Sequence, residues 1–196
     1  MPVEVGVLAL QGGVEEHMAS LRRLGVTPIP VRRPEDLEQS GSIILPGGES
    51  TTLIRLMQRW ELVEPVRRMA RAGASIWGTC AGAVLLCKKV TEQEHDLRQE
   101  CLNIVDVHAV RNRFGRQRYS FREDLAVKGL DEAFSGIFIR APLFEPLDEN
   151  IEVLSRVEEG AVFLKQGNVW LSSFHPELSG DDRIHELFLR ESGIDF

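Results

Sequence analysis

The stretch Ser75-Ile76-Trp77-Gly78-Thr79-Cys80-Ala81-Gly82-Ala83 decides how the chain is read. It begins as a short apolar run of strand character, breaks at glycine, and opens into an apolar run of helical character that continues to Cys87. A tight strand-to-helix turn lifts the side chain at its apex out of the packed core, and the apex here is Cys80. The N–H groups and positive dipole end of a helix starting behind it favour a thiolate. Gly78, Ala81 and Gly82 are small enough for the backbone and a small molecule to come close. Cys80 is therefore the candidate nucleophile.

The same strand–turn–helix rhythm extends outward on the N-terminal side. Val3 to Leu10 is a nearly continuous apolar run, as expected of a strand buried on both faces. Gln11-Gly12-Gly13 interrupts it, and Val14 to Leu24 carries Val14, Met18, Leu21 and Leu24 on one helical face before Gly25. Thr27 to Val31 and Ser42 to Leu45 read as strands, Ser50 to Trp60 and Leu62 to Arg71 as helices, Ser75 to Gly78 as a strand and Ala81 to Cys87 as a helix. The alternation predicts a parallel α/β sheet with helices on both faces. On the C-terminal side the segments Leu102 to Val110, Tyr119 to Val127, Ile137 to Arg140, Ile151 to Val157, Ala161 to Gln166 and Val169 to Phe174 are strand-like with short turns, and Ile184 to Arg190 closes as a helix. A mixed, mostly parallel sheet with an antiparallel section is expected, with Thr91 to Glu100 as an exposed loop.

In open α/β sheets, sites form beyond the carboxyl ends of the strands. Four strand ends carry suggestive chemistry: Gln11-Gly12-Gly13, Pro46-Gly47-Gly48-Glu49-Ser50, Gly78-Thr79-Cys80-Ala81-Gly82 and Phe174-His175-Pro176-Glu177. In extended backbone, residues two apart point the same way, so Glu177 can orient the His175 imidazole that deprotonates Cys80. The Pro46–Thr52 segment joins a strand end to a helix start. Its glycines can turn backbone N–H groups, with that of Ala81, toward a tetrahedral oxyanion, while Ser50 reads as a helix N-cap. No Lys follows the glycines at phosphate-loop spacing. Arg111-Asn112-Arg113-Phe114-Gly115-Arg116-Gln117-Arg118 carries four arginines, and Arg140 ends an apolar strand. Both suit carboxylate recognition as well as a charged turn. His17, His95, His108 and His185 read as structural or solvent-facing, with no spacing that suggests a metal site.

With 196 residues, 43% of them hydrophobic, the chain suits one domain over 1–196 with a substantial core. A net charge of −7 and no long basic run argue against nucleic acid. No apolar run is long enough to span a bilayer, and no signal segment is visible, so a cytoplasmic protein is expected. Three cysteines cannot make a disulfide framework. Cys87 reads as a buried core thiol, as does Cys101 at the opening of a strand.

Gly78-Thr79-Cys80-Ala81-Gly82 with Phe174-His175-Pro176-Glu177 resembles the class I (triad) glutamine amidotransferases. Leu8-Ala9-Leu10-Gln11-Gly12, Leu45-Pro46-Gly47-Gly48-Glu49-Ser50-Thr51-Thr52, Arg111-Asn112-Arg113-Phe114-Gly115-Arg116-Gln117, Phe138-Ile139-Arg140-Ala141-Pro142 and Ser173-Phe174-His175-Pro176-Glu177-Leu178 are similar to the glutaminase subunits of two-component pyridoxal 5′-phosphate synthases. The resemblance implies a single-domain, three-layer, flavodoxin-like fold. It implies that Cys80 attacks the side-chain amide of L-glutamine, that His175 acts as base and then as acid to the leaving ammonia, that Glu177 orients His175, and that a γ-glutamyl thioester forms on Cys80 and is released as glutamate by water. Gly48 and Ala81 would form the oxyanion hole. Gly47, Gly48, Glu49, Arg111, Ile139 and Arg140 would line the glutamine site. Gln11 would lie where the synthase partner docks and helps complete the hole. No cofactor or metal is implied. Ammonia would pass to the synthase subunit, which condenses it with ribose 5-phosphate and glyceraldehyde 3-phosphate in an assembly of twelve synthases and twelve glutaminases. The glutaminase would stay nearly silent until docked, with one peptide of Pro46-Gly47-Gly48 reorienting on docking. Arg118-Tyr119 departs from the pattern, where smaller or acidic residues are expected.

Three other readings remain open on sequence. One is a glutaminase serving another synthase, such as that of histidine biosynthesis. Another is a cysteine peptidase or stress-response hydrolase of related fold, and the last is a non-catalytic subunit that kept the fold.

Overall fold

The structure, a computed structural model, describes residues 4–92, 95–96, 99–114 and 119–196. Val3 of the first expected strand, residues 93, 94, 97 and 98 of the expected 91–100 loop, and Gly115 to Arg118 of the arginine-rich run lie outside these. Along the chain come β1 (Glu4–Leu8), α1 (Val14–Arg23), β2 (Thr27–Val31), α2 (Pro34–Leu37), β3 (Ser42–Leu45), α3 (Ser50–Arg59), α4 (Val63–Arg71), β4 (Ser75–Thr79) and α5 (Ala81–Leu86). There follow β5 (Cys87–Glu92), β6 (His95–Asp96), β7 (Val105–Arg111), β8 (Ser120–Leu125), β9 (Phe134–Ile139) and β10 (Leu143–Pro146). The chain closes with β11 (Glu152–Val157), β12 (Gly160–Gln166), β13 (Val169–Ser172), a 3₁₀ turn over Pro176–Leu178 and α6 (Arg183–Glu191).

Side-chain alternation along the buried strands creates two cores. Ile43 and Leu45 of β3 enter one cluster and Ile44 enters the other. In β1, Leu8 joins the first cluster while Val5 and Val7 join the second. Leu53, Ile54 and Met57 of α3, Val66 of α4 and Ala83 to Leu86 of α5 cover the first face. Met18 and Leu21 of α1 with Ile184, Leu187 and Phe188 of α6 cover the second. Helix–sheet–helix layering thus follows from strands that are apolar on both sides.

The large sheet has the order β2-β1-β3-β4-β13-β12-β10-β7-β5-β6, with β11 also paired to β12. From β2 to β13 all pairs are parallel; β13–β12, β12–β10 and β10–β7 are antiparallel. β8 and β9 form a separate antiparallel ribbon. None of the helices among the described residues is long and apolar enough to cross a membrane.

Several expected boundaries shift for local reasons. The α5 helix stops at Leu86 because Cys87 turns extended (ψ 153°) and begins β5, which pairs with β7. Part of the expected 91–100 loop is therefore strand. The segment read as a strand from Leu102 starts only at Val105: the N–H groups of Leu102 and Ile104 instead donate to the free carbonyls of Leu85 and Leu86 at the end of α5, at 2.7 and 2.9 Å. Cys101 accordingly precedes the strand rather than opening it. The first strand ends at Leu8 and the last at Ser172, and α2 and β10 are elements not anticipated.

An aromatic cluster anchors the second core. Trp77 lies 5.3 Å from Phe188, Phe188 lies 5.9 Å from Trp170, and all three are buried. Phe188→Ala is expected to destabilise the fold by about 3–5 kcal/mol. Urea unfolding with an unchanged m-value would read this out; a loss under 1 kcal/mol, on the order of an exposed-site change, would contradict it.

Candidate active site

All four strand ends singled out from sequence meet in one cavity of about 570 Å³. They lie at the carboxyl edges of β1, β3, β4 and β13, which are neighbours across the parallel half of the sheet. Gln11, Gly47, Gly48, Glu49, Cys80, Ala81, Arg111, Ile139, Arg140, His175 and Glu177 all line this cavity. Glu16, Glu92 and Asn112 line it too, without having been foreseen.

Cys80 sits between β4 and α5 with φ 48° and ψ −107°, a conformation that costs a non-glycine residue on the order of 1–3 kcal/mol. Its N–H donates to Ser172 O at 2.7 Å, which ties the turn to β13. The turn closes because Gly82 has no Cβ: one placed there would lie 1.9 Å from Leu45 O. Ala81, as the first residue of α5, has an N–H with no partner inside the helix. The Cys80 thiol faces Ile139 O at 3.8 Å, so the β8–β9 ribbon forms one wall. The other two cysteines are buried and unpaired. Burial pushes the Cys101 thiol up to about 11 and the Cys87 thiol well above its ordinary value.

His175 follows β13, and its N–H donates to Ile137 O of β9 at 2.7 Å. Its Nδ1 lies 2.8 Å from Glu177 Oε1. The pair is not formed along an extended strand, as expected, but across the start of the 3₁₀ turn, with His175 at φ −105° and ψ 86°. Burial pushes His175 down; hydrogen bonds and charge from Cys80 and Glu177 outweigh it and raise the imidazole to about 10. Burial pushes the Glu177 carboxyl up, but the His17 and His175 imidazoles beside it hold it below the usual carboxylate range. Gly47 packs against His175 and Cys80, since a Cβ there would stand 2.5 Å from His175 Cε1 and 3.3 Å from Cys80 Cβ.

The loop after β3 is stapled from the β1 side. Gly13 N–H donates to Gly47 O at 3.2 Å, and Glu49 N–H donates to Gln11 Oε1 at 3.0 Å. Ser50 is not the N-cap: Glu49 occupies that position, and the Ser50 hydroxyl instead donates to Gln99 Oε1 at 2.9 Å. Arg111 points to Glu49, at 3.7 Å, and Asn112 donates to Glu92. Arg140 is exposed with φ 44°, its N–H bonded to Tyr119 O at 2.7 Å. Neither His17 nor His185 reaches solvent. His108 lies against Thr91 and Glu145, each at 2.8 Å.

Fold and cavity together define an α/β protein that gathers a cysteine, an imidazole and a carboxylate at one edge of its sheet. The chain belongs to the SNO glutamine amidotransferase family, whose model matches residues 7–193. It is 47% identical over 191 residues to the pyridoxal 5′-phosphate synthase subunit PdxT of Thermus thermophilus, covering 97% of this chain and 98% of that one. It is 43% identical over 187 residues to the protein of the same name from Thermosipho africanus, covering 95% and 97%. A crystal structure of a glutamine amidotransferase superposes with a TM-score of 0.90 at 45% identity, over 97% of this chain and 99% of that one. The PurLQS structure of Thermotoga maritima shares the fold, with a TM-score of 0.71 at 18% identity over 97% and 99% of the two chains.

The shifts have signed consequences. A raised His175 stabilises the fold fully below its unfolded value of 6.5, and this is lost as pH climbs toward about 10. A depressed Glu177 stabilises above the ordinary carboxylate range, and this is lost as pH falls through its folded value. Because Cys80 supplies part of the rise at His175, Cys80→Ala should lower the imidazole's titration midpoint in NMR and flatten the loss of melting temperature between neutrality and pH 10. An unmoved midpoint would show that the thiol does not act on the imidazole.

Proposed function

We propose that this protein is the glutaminase subunit of a pyridoxal 5′-phosphate synthase, hydrolysing L-glutamine to L-glutamate and ammonia with Cys80, His175 and Glu177. One observation carries the chemistry: a cysteine on a strained turn and an imidazole bonded to a buried carboxylate share a cavity large enough for an amino acid. The pyridoxal 5′-phosphate synthase subunits to which the chain is similar, in Thermus thermophilus and Thermosipho africanus, support the choice of synthase over a histidine-pathway one.

In this reading His175, held as the imidazolium at neutral pH, has already taken the thiol proton, and the Cys80 sulfur attacks the glutamine amide carbon. The carbonyl oxygen becomes an oxyanion, received by the N–H groups of Gly48 and Ala81. As the carbon–nitrogen bond breaks, the imidazolium protonates the leaving nitrogen, giving ammonia and a γ-glutamyl thioester. His175 then takes a proton from water, the hydroxyl attacks the thioester, and glutamate leaves as the thiol is restored. Glu177 keeps the imidazole oriented and balances its charge. Arg111 and Arg140 face the glutamine α-carboxylate, and Glu49 its ammonium group. Gly47 and Ile139 wall the chain of the substrate.

Ammonia is delivered to a synthase subunit, in a twelve-plus-twelve assembly in the cytoplasm. Docking near Gln11 completes the oxyanion hole. Reorienting the Gly47–Gly48 peptide breaks the Gly13 N–H bond to Gly47 O, a small barrier that partner contacts can offset. A crystal structure of the complex with this bond intact would argue against the reorientation.

Glutamate release should be low for the protein alone and rise at least tenfold with its cognate synthase, while Cys80→Ala abolishes it in both states with the fold intact. Full activity without the synthase would remove the gating, and ammonia release by Cys80→Ala would remove the mechanism. Inactivity of the wild type in both states would point to a different amide substrate.

A further inference from the structure

Behind Glu177, on the side away from His175, lie two buried imidazoles that the reaction above does not use. His17 Nε2 is 3.4 Å from Glu177 Oε2 and 3.2 Å from Thr79 Oγ1; His17 Nδ1 is 2.9 Å from His185 Nε2. His17 comes from α1, His185 from α6 and Thr79 from the end of β4, directly before Cys80. Trp77 walls the pair, with its ring 5.7 Å from that of His17 and 5.0 Å from that of His185, both edge-on. Among the described residues Glu177 Oε2 has no hydrogen-bond partner, and His17 Nε2, bonded to Thr79 Oγ1, stands 3.4 Å from it.

We propose that His17 is a positioning residue: as the neutral Nε2–H tautomer, itself fixed by a hydrogen bond from His185 Nε2–H, it holds Glu177 in the orientation that aims His175 at Cys80. The assignment follows from what each atom can do. An ionised carboxylate only accepts, so the nitrogen facing it must carry hydrogen. His17 Nδ1 then has only a lone pair, and His185 Nε2 must donate to it. His185 Nδ1 is left unprotonated, which matches its lack of a partner among the described residues, since a buried orphan acceptor is more tolerable than a buried orphan N–H. The opposite arrangement, with His17 cationic, would leave an N–H of His185 stranded. Burial lowers both imidazoles, that of His185 to about 3; carboxylates oppose this and cations reinforce it among the charged groups facing them. Those are Glu177 and His175 from the turn after β13, Glu16 and Arg23 from α1, and Asp182 at the head of α6. With both rings neutral, the carboxylate charge stays available to His175.

The inference rests on the reading of Cys80, His175 and Glu177 as the reacting group, and the test separates the two. Cys80 of the full-length protein is alkylated with iodoacetamide across pH, followed by mass spectrometry, while glutamine hydrolysis is measured with the synthase bound. His17→Leu should move the alkylation midpoint to higher pH. It should also lower kcat by about tenfold or more, with KM within about twofold, as loss of a supporting partner behind a reacting group typically does. His17→Gln, which keeps an N–H near the Nε2 position, should recover most of the loss. Overlaid profiles and unchanged kcat for His17→Leu would overturn the proposal. So would a glutamine variant no better than leucine, which would leave His17 a packing role. ¹⁵N NMR of the wild type decides the matter even if both variants unfold: two Nε2–H tautomers are expected, and an Nδ1–H tautomer or an imidazolium at neutral pH at either ring would refute it. Wild-type Cys80 no more reactive than a free thiol would instead sink the reading of the reacting group.

Discussion

The left-handed backbone of Cys80 is the constraint on which the rest of the molecule turns. A non-glycine residue holds that conformation only where its surroundings over-determine it. Here the hydrogen bond to Ser172 O fixes one side, the start of α5 fixes the other, and the absence of a side chain at Gly82 lets the turn press against Leu45 O. The parallel register of β3, β4 and β13 is thus the support for a single strained residue. The same register delivers the loops after β3 and β13 to either side of the thiol.

Electrostatics sets the second requirement. Glu177 is a buried carboxylate, and an uncompensated charge there would be costly. Two imidazoles from different directions flank it, one opening toward the cavity and one closed off by Trp77. Helix α1 contributes at both ends of this arrangement. Gly13, just before it, holds the carbonyl of Gly47, and His17, one turn later, stands against the carboxylate. The loop expected to receive the oxyanion and the residue expected to orient the base are therefore braced by one helix.

Much of this was legible in the residues themselves. Apolar runs with glycine breaks marked β1, β3 and β4, and the chemistry clustered at their ends and after β13. What escaped was set by pairing at a distance. Cys87-Lys88-Lys89-Val90-Thr91-Glu92 is half polar and reads as the tail of a helix, yet β7 draws it into the sheet. Leu143 to Pro146 is too short to announce a strand. Ser50 had the right chemistry for a cap, but Gln99 was the better partner. His17 and His185 gave no local signal, because each sits on an amphipathic helix where a histidine is ordinary. Only the packing of α1 and α6 on the same face of the sheet brings them together, and a hint lay in their falling on the apolar stripe beside Met18 and Leu187.

The place of β13 has a consequence for how the protein comes into being on the ribosome. The last strand to be synthesised, it is inserted between β4 and β12, in the interior of the sheet. Until it emerges, β4 presents an open edge, and Cys80 has neither the backbone bond to Ser172 nor the His175 imidazole that follows β13. A nascent chain therefore carries an unpaired edge on β4 from its emergence until β13 follows, and that interval is when it is most exposed to misassociation. It also means that the cavity at the strand ends is not assembled before the sheet is closed.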